Sequence, residues 1–355
     1  MKKELSPYRQ YMRRCMKLAR LGTGFVAPNP MVGCVIVHED NIIGEGYHEK
    51  YGNAHAEVNA IHSVTKKHLL SSSILFVNLE PCAHQGKTPP CTERIIAAGI
   101  PQVMIGSLDP NPLVAGKGIE SLRAAGCNVT QGLLEAECDE LNKFYMTYHK
   151  RHRPYVVLKW AQTSDGFIDV NRSSHALNRP TWITGDFEQT LVHKWRAEIG
   201  AVMIGTNTAL LDNPMLNLRR WKGLDPLRVV IDRTGRLPAS LHLFEGNQPT
   251  LVFVEKPSPQ RLTAEHAVVP FDDQLPHRIL DELYRRKITS LMIEGGAELL
   301  RTFIRSGLWD EARIFTGYQH FEEGVAAPEA KGRTIRRDSL KTSRLLINVN
   351  DSPAY

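Results

Sequence analysis

The stretch Pro81-Cys82-Ala83-His84-Gln85-Gly86-Lys87-Thr88-Pro89-Pro90-Cys91, taken with His55-Ala56-Glu57 upstream, decides the reading of the first third of this chain. One imidazole and two thiols, from His55, Cys82 and Cys91, make three zinc ligands and leave a fourth tetrahedral position for water. Glu57, two residues from the ligand histidine, stays off the metal and is placed to move protons. Zinc held in this way lowers the pKa of its water to roughly 7, and Glu57 can take that proton and return it to a departing amine. This is the chemistry of a hydrolytic deaminase.

The spacing sharpens the reading. Zinc deaminases carry H-x-E followed by P-C-x-x-C, whereas eight residues separate Cys82 from Cys91, six more than the two of that signature. The insert holds His84, Lys87 and two prolines, which stiffen the loop and bring a cation close to the metal. A closed, structural zinc site needs a fourth protein ligand, and His84 is the one nearby candidate. His-x-Glu at the start of a helix has no structural purpose of its own, so the open, catalytic site is preferred.

Working outward, strands and helices alternate. Short strands are expected at 33–37 and 42–46 around a polar turn, a helix at 56–63, a strand at 73–79, a helix at 92–98 and a strand at 102–106. A helix at 119–125, a strand at 127–131 and a helix at 135–150 follow. The basic, proline-stopped segment Lys150-Arg151-His152-Arg153-Pro154 marks the expected boundary, giving domains 1–150 and 151–355. A second alternation begins with a strand at 155–160 and continues through a helix at 188–197 and strands at 201–204, 227–231 and 250–254. A helix at 276–286, a strand at 290–293 and a helix at 297–305 complete it. Both halves are therefore α/β, with a sheet between helix layers. The segment after Gly317 carries little signal beyond closing the second domain.

At this point the residues amount to a family resemblance. Ala27-Pro28-Asn29-Pro30-Met31-Val32-Gly33, Gly46-Tyr47-His48, His55-Ala56-Glu57, the long cysteine loop, Asp109-Pro110-Asn111-Pro112 and Gly116-Lys117-Gly118 occur in this order. The set resembles the bifunctional riboflavin-biosynthesis family, in which a diaminohydroxyphosphoribosylaminopyrimidine deaminase is joined to a reductase. The resemblance covers both halves. It implies a cytidine-deaminase-like α/β/α domain followed by a dihydrofolate-reductase-like α/β domain. It further implies that Asn29, His48, Lys87, Asp109 and Asn111 hold the base, ribose and phosphate of a phosphorylated pyrimidine. Asn29 and Asn111, each between prolines, also suit ordinary turns.

In the second half, Glu294-Gly295-Gly296-Ala297 lies between a strand and a helix. Paired glycines let backbone approach a ligand, and the helix N-terminus that follows attracts phosphate. No GxGxxG is present, so a Rossmann dinucleotide site is not expected. The resemblance implies NADPH, contacted by Ala161, Trp182, Thr208 and Asp212, with its phosphates cradled by Gly296, Ala297, Glu298, Leu299, Leu300, Arg301 and Thr302. Substrate would meet Arg196, Leu216, Arg219 and Glu294, the two arginines being natural phosphate partners. Lys159, as catalytic residue, and Glu294 are the candidates for polarising and protonating around the ribose carbon. Thr181 stands in for a serine usual two residues before the tryptophan of this family, and after Asp165-Gly166 the usual small-residue continuation is replaced by Phe167-Ile168-Asp169-Val170-Asn171-Arg172 and an apparent insertion. Arg233, just past the strand at 227–231, is a candidate partner of the NADP 2′-phosphate, although an exposed turn arginine would look the same.

Composition sets the remaining bounds. With 355 residues, 42% hydrophobic and 23% charged, the chain has the size and make-up of two globular domains. No apolar run of membrane-spanning length occurs, and the N-terminus does not read as a signal peptide. Six cysteines at irregular spacing read as zinc ligands and free thiols rather than a disulfide framework, which fits a reducing cytoplasm. The net charge of +6 is mild; of the basic stretches at 219–222 and 331–344 either suits a solvated face, the tail above all, and small anionic ligands account for the balance equally well, so no nucleic acid and no membrane partner is expected, while a homo-oligomer is.

Overall fold

The computed structural model describes residues 7–83, 89–172, 180–256 and 264–354. Two compact units divide at 150/151.

The first unit contains α1 (Arg9–Ala19), β1 (Gly33–His38), β2 (Asn41–Tyr47), α2 (Ala56–Ser63), β3 (Ile74–Leu79), α3 (Cys91–Ala97), β4 (Gln102–Ser107), α4 (Lys117–Ala124), β5 (Asn128–Gln131), α5 (Glu135–Leu141) and α6 (Lys143–Arg151). Its sheet runs β2-β1-β3-β4-β5, with β3, β4 and β5 parallel and the β1 pairings antiparallel. Side chains alternate across a strand, and here both sets are apolar. Cys34 and Ile36 pack with Ala56, Ala60, Ile95 and Leu122 of the helices on one face. Val35 and Val37 pack with Met12, Cys15, Met16 and Cys138 on the other. A sheet covered on both faces is the result. The β1–β2 turn places Glu39 and Asp40 at φ 47° and 60°, the left-handed pair that a tight hairpin requires.

The helix expected at 135–150 is two helices. Asn142 lies at the break, and its side chain leaves the local backbone for the loop before β1: Oδ1 accepts from Met31 N at 2.8 Å and Nδ2 donates to Met31 O at 3.0 Å. A distant partner therefore decides a break that helical periodicity does not reveal.

The second unit contains β6 (Tyr155–Gln162), β7 (Phe167–Asp169), α7 (Asp186–Glu198), β8 (Ala201–Ile204), α8 (Thr206–Asp212), β9 (Leu227–Ile231), β10 (Thr250–Val254), β11 (Glu265–Val268), α9 (Leu275–Arg285), β12 (Ser290–Gly295), α10 (Ala297–Arg305), β13 (Glu311–Gly317), β14 (Val325–Ala326), β15 (Arg333–Ser339) and β16 (Ser343–Val349). A nine-stranded sheet runs β11-β10-β9-β8-β12-β6-β13-β16-β15. It is parallel from β11 to β13, and β16 and β15 add antiparallel at the end. Those last strands organise the segment after Gly317. β15 is largely exposed, which is why its charged sequence does not read as a sheet strand. The basic segment before β6 is tied into the second unit: Arg153 is buried and forked onto Asp310 at 2.7 and 2.9 Å, and Asp310 also accepts from Val156 N at 2.8 Å. No helix among the described residues is long and apolar enough to cross a membrane.

Two glycines bring backbone onto backbone in the first unit. A Cβ on Gly46 would lie 2.3 Å from Ala60 N and 2.6 Å from Ala56 O, so α2 rests directly on β2. A Cβ on Gly118 would lie 2.1 Å from Pro81 O. Gly46→Ala therefore has to push α2 off the sheet, and overpacking of this kind costs about 1–3 kcal/mol. Urea unfolding of the full chain should show the first transition at lower denaturant with an unchanged slope.

Candidate active sites

The start of α2 and the two ends of the cysteine loop meet in space. His55 caps α2, Cys82 follows β3, and Cys91 opens α3. His55 Nδ1 lies 3.2 Å from Cys91 Sγ and 3.6 Å from Cys82 Sγ, and Cys91 N donates to Cys82 Sγ at 3.4 Å. Zinc bonds of about 2.0–2.3 Å at tetrahedral angles set a nitrogen and a sulfur ligand roughly 3.6 Å apart, so this donor set fits the ion. Of the acid-base residues and thiols described, these three alone form a cluster with metal-binding geometry. Hydrogen bonding from Cys91, then from His55, holds the Cys82 thiol well below its ordinary range, while the same contact and burial push Cys91 up.

Glu57 is buried in the first turn of α2, and its Oε2 has no hydrogen-bond partner among the described residues. Burial raises its pKa. A buried carboxylate oxygen without a partner is costly in a core, and here it faces a cavity of 270 Å³ also lined by His55 and Cys82. Asn29, His48, Asp109 and Asn111 line the same cavity. His48 Nδ1 lies 3.1 Å from Ala54 O, which only accepts, so Nδ1 carries the proton and Nε2 faces Asn29 Nδ2 at 3.1 Å as acceptor. Asp109 Oδ1 accepts from Asn111 N at 2.8 Å and from Tyr145 OH at 2.9 Å, and burial raises its pKa to about 6. Lys87 and His84 lie outside the described residues.

Two residues of this site escaped the sequence reading. Tyr145, from α6, positions Asp109. Glu80 is buried, with Oε1 accepting from Gly118 N at 2.9 Å and Ile119 N at 3.3 Å, and Oε2 from Gly116 N at 3.1 Å and Asp109 N at 3.3 Å. Its carboxylate occupies the N-terminus of α4, where unpaired N–H groups favour negative charge, and so fixes the chain just before Cys82. The only sequence signal was its position next to Pro81-Cys82.

In the second unit the site lies at the carboxyl ends of parallel strands, the usual ligand edge of such sheets. A cavity of 670 Å³ is lined by Ala161, Thr181, Trp182, Thr208, Asp212 and the run from Gly296 to Thr302. Gly296 precedes α10 at φ 72°, a conformation that favours glycine, and the start of α10 lines the cavity. A second cavity of 430 Å³ is lined by Arg196, Leu216 and Arg219. Lys159, Trp182, Thr208, Asp212 and Glu294 line both. The residues expected to hold cofactor and those expected to hold substrate thus form adjoining chambers.

Arg196 is not a free phosphate ligand. It is buried, and it forks onto Glu294 at 2.6 and 2.8 Å. Burial pushes Glu294 up, but Arg196 and Lys159 outweigh it and hold the carboxyl below its ordinary range. Burial lowers the pKa of Lys159, against the opposing pull of Glu294. His193, one turn before Arg196, also lines the smaller cavity; its Nδ1 is buried without a partner among the described residues, and burial with Arg196 and Arg219 lowers its pKa to about 4. Arg172, from the segment after Asp165-Gly166, ties the wall together by bridging Asp169 at 2.8 Å and Asp212 at 2.9 Å, while Thr181 donates to Asp169 at 2.7 Å. Arg233 corrects the reading: it is exposed, forked onto Glu255 at 3.1 and 2.9 Å, and absent from the cavity wall.

Metal analysis of purified protein checks the first site. Cys82→Ser and His55→Ala should lower bound zinc from about one per chain to near zero, because two ligands hold the ion poorly. Glu57→Gln should keep full zinc.

Comparison with known proteins follows this division. Residues 5–107 match the cytidine and deoxycytidylate deaminase zinc-binding region, and residues 154–317 match the RibD C-terminal domain. The riboflavin biosynthesis protein RibD of Actinobacillus pleuropneumoniae is 40% identical over 320 residues, covering 86% of this chain and 82% of the relative. That of Aquifex aeolicus is 37% identical over 341 residues, covering 95% and 94%. The crystal structure of a diaminohydroxyphosphoribosylaminopyrimidine deaminase/5-amino-6-(5-phosphoribosylamino)uracil reductase from Thermotoga maritima superposes with a TM-score of 0.87 at 37% identity, covering 97% of this chain and 99% of that one. Acinetobacter baumannii RibD superposes with a TM-score of 0.89 at 32% identity, covering 98% and 100%. With its zinc-type donor set in one unit and its paired chambers in the other, this chain belongs to the RibD family of riboflavin biosynthesis proteins.

Proposed function

We propose that this chain is a bifunctional enzyme of riboflavin biosynthesis, with a deaminase in 1–150 and a reductase in 151–355. The first activity hydrolyses an amino group from a diaminopyrimidinone bearing a ribosylamine 5′-phosphate, exchanging C–NH2 for C=O with release of ammonia. The second reduces the ribosyl group of that product to ribityl. One observation carries the reading: a buried, unpartnered carboxylate oxygen beside three zinc-type donors in one unit, joined to a unit in which two ligand chambers meet at a lysine and a glutamate.

In the deaminase, His55, Cys82 and Cys91 are the zinc ligands, and the ion when bound supplies a Lewis acid that makes water nucleophilic near neutral pH. Glu57 takes a proton on its carboxylate and gives it to the leaving nitrogen. Its burial suits this task, because a raised carboxyl pKa brings gain and loss of the proton closer to neutrality. Asn29 and neutral His48 offer hydrogen bonds to the uncharged ring and ribose, with Asp109 and Asn111 opposite, and Lys87 is assigned to the phosphate.

In the reductase, NADPH when bound supplies the hydride. The larger chamber takes the cofactor along Ala161, Trp182, Thr208, Asp212 and the Gly296–Thr302 turn; the smaller takes the substrate, with Leu216 and Arg219 on its wall. Lys159 donates a proton to the opened ribose, and Glu294, locked by Arg196, keeps that ammonium charged and aimed. Six free cysteines support a cytoplasmic site of action, and a homo-oligomer is part of the same proposal.

The test supplies the diaminopyrimidinone ribosylamine phosphate to zinc-loaded protein and follows ammonia and NADPH separately. Glu57→Gln should lower ammonia release by about 10²–10⁴-fold, the usual worth of a positioned acid–base group, and leave reduction of pre-deaminated substrate intact. Full deamination by this variant would sink the assignment. For reduction, the acid is the ammonium form of Lys159, so the rate should fall as pH rises through a pKa set below that of an ordinary lysine. Lys159→Met should remove that alkaline limb together with most of the rate.

A further inference from the structure

The cofactor chamber has two ends. Hydride has to pass where the chambers meet, so the reacting ring belongs at Lys159 and Glu294, and the pyrophosphate belongs at the start of α10. The remaining half of a dinucleotide, its adenosine, is left with the far wall, where Leu275, Pro276 and Ile279 offer an apolar face beside Arg236.

Two arginines stand three residues apart on the loop after β9, and they are not equivalent. Arg233 is neutralised by its fork onto Glu255, whose N–H also donates to Arg233 O at 3.0 Å. Arg236 lines the chamber, and its Nη2 donates to Asn207 Oδ1 at 3.0 Å. It has no carboxylate partner among the described residues. Its backbone is fixed from below: Asp232 is fully buried, with Oδ1 accepting from Arg236 N at 3.0 Å and Oδ2 from Leu237 N at 3.1 Å. The other arginine on this wall, Arg301, is held by Ala326 O and lies 3.9 Å from Glu298 on the pyrophosphate side. An uncompensated guanidinium on a pinned loop, at the adenosine end of the chamber, is what a dianionic group on that ribose needs.

We propose that Arg236, and not Arg233, reads the 2′-phosphate of the cofactor and so makes this enzyme select NADPH over NADH. The inference rests on the larger chamber being the nicotinamide cofactor site. Asp232 and Asn207 act as positioning residues for Arg236.

Direct binding separates this inference from the reading beneath it. NADPH, NADH and 2′,5′-ADP are titrated into the zinc-loaded full chain by calorimetry. The wild type should bind NADPH well ahead of NADH and should bind 2′,5′-ADP. Arg236→Ala should weaken NADPH and 2′,5′-ADP about 10- to 100-fold, the worth of a hydrogen-bonded charge pair, with NADH affinity unchanged. Unchanged NADH affinity also shows that the chamber is still folded. Arg236→Lys should recover part of the preference, and Arg233→Ala should keep all of it. Retention of the full NADPH preference by Arg236→Ala, or its loss in Arg233→Ala, overturns the proposal. Failure of the wild type to bind any of the three ligands overturns the cofactor reading itself.

Discussion

An imidazole nitrogen and two thiol sulfurs, drawn from the start of one helix, the end of a strand and the start of another helix, lie within 4.8 Å of one another. Nothing local makes them meet. They meet because α2 is laid directly on β2 at Gly46 and α4 directly on the Pro81 backbone at Gly118, where no side chain larger than hydrogen fits. Glu80 then spends both carboxylate oxygens on backbone N–H groups at the start of α4 and at Asp109. This fixes the chain one residue ahead of the proline that leads into Cys82. The chemistry of the first unit depends on this close packing, because a metal site displaced by an ångström no longer gathers its ligands.

The second unit solves a different problem, which is to keep charge inside a chamber without losing it to water or to a misplaced partner. A lone buried carboxylate or lysine would neutralise itself. Arg196 prevents that for Glu294, and the Glu294 charge in turn opposes the desolvation of Lys159. The pair is internal to the protein, whereas Arg219, on the wall of the smaller chamber, has no carboxylate partner among the described residues. The same logic divides the loop after β9, where a glutamate just past the next strand, β10, pairs with Arg233, while Arg236 has no carboxylate partner among the described residues.

Much of the site was legible in residue types and spacing. The pattern His55, Glu57, Cys82 and Cys91 was read from residue chemistry alone; of the residues carried over from the family pattern that are described, those of the first unit line its cavity and those of the second line its two chambers, Arg233 excepted. What spacing could not show was partnership. Arg196, Arg219, Arg233 and Arg236 are alike as letters, and only the position of a carboxylate in space tells which is bound and which is free to bind. Tyr145 and Glu80 were invisible for the same reason, since each acts through a contact more than thirty residues away.

The elements show a similar division. Periodicity was sufficient for the buried strands and amphipathic helices, because burial on one or both faces writes itself into the alternation of side chains. The sequence by itself therefore determined two α/β units, a cluster of three zinc-type donors and a glycine turn between a strand and a helix. The tertiary structure alone decided the break at Asn142, the strand character of the exposed segment 333–339, and which arginines keep their charge available. Those outcomes depend on long-range hydrogen bonds and ion pairs, and a pairing between distant residues leaves no period in the chain that carries it.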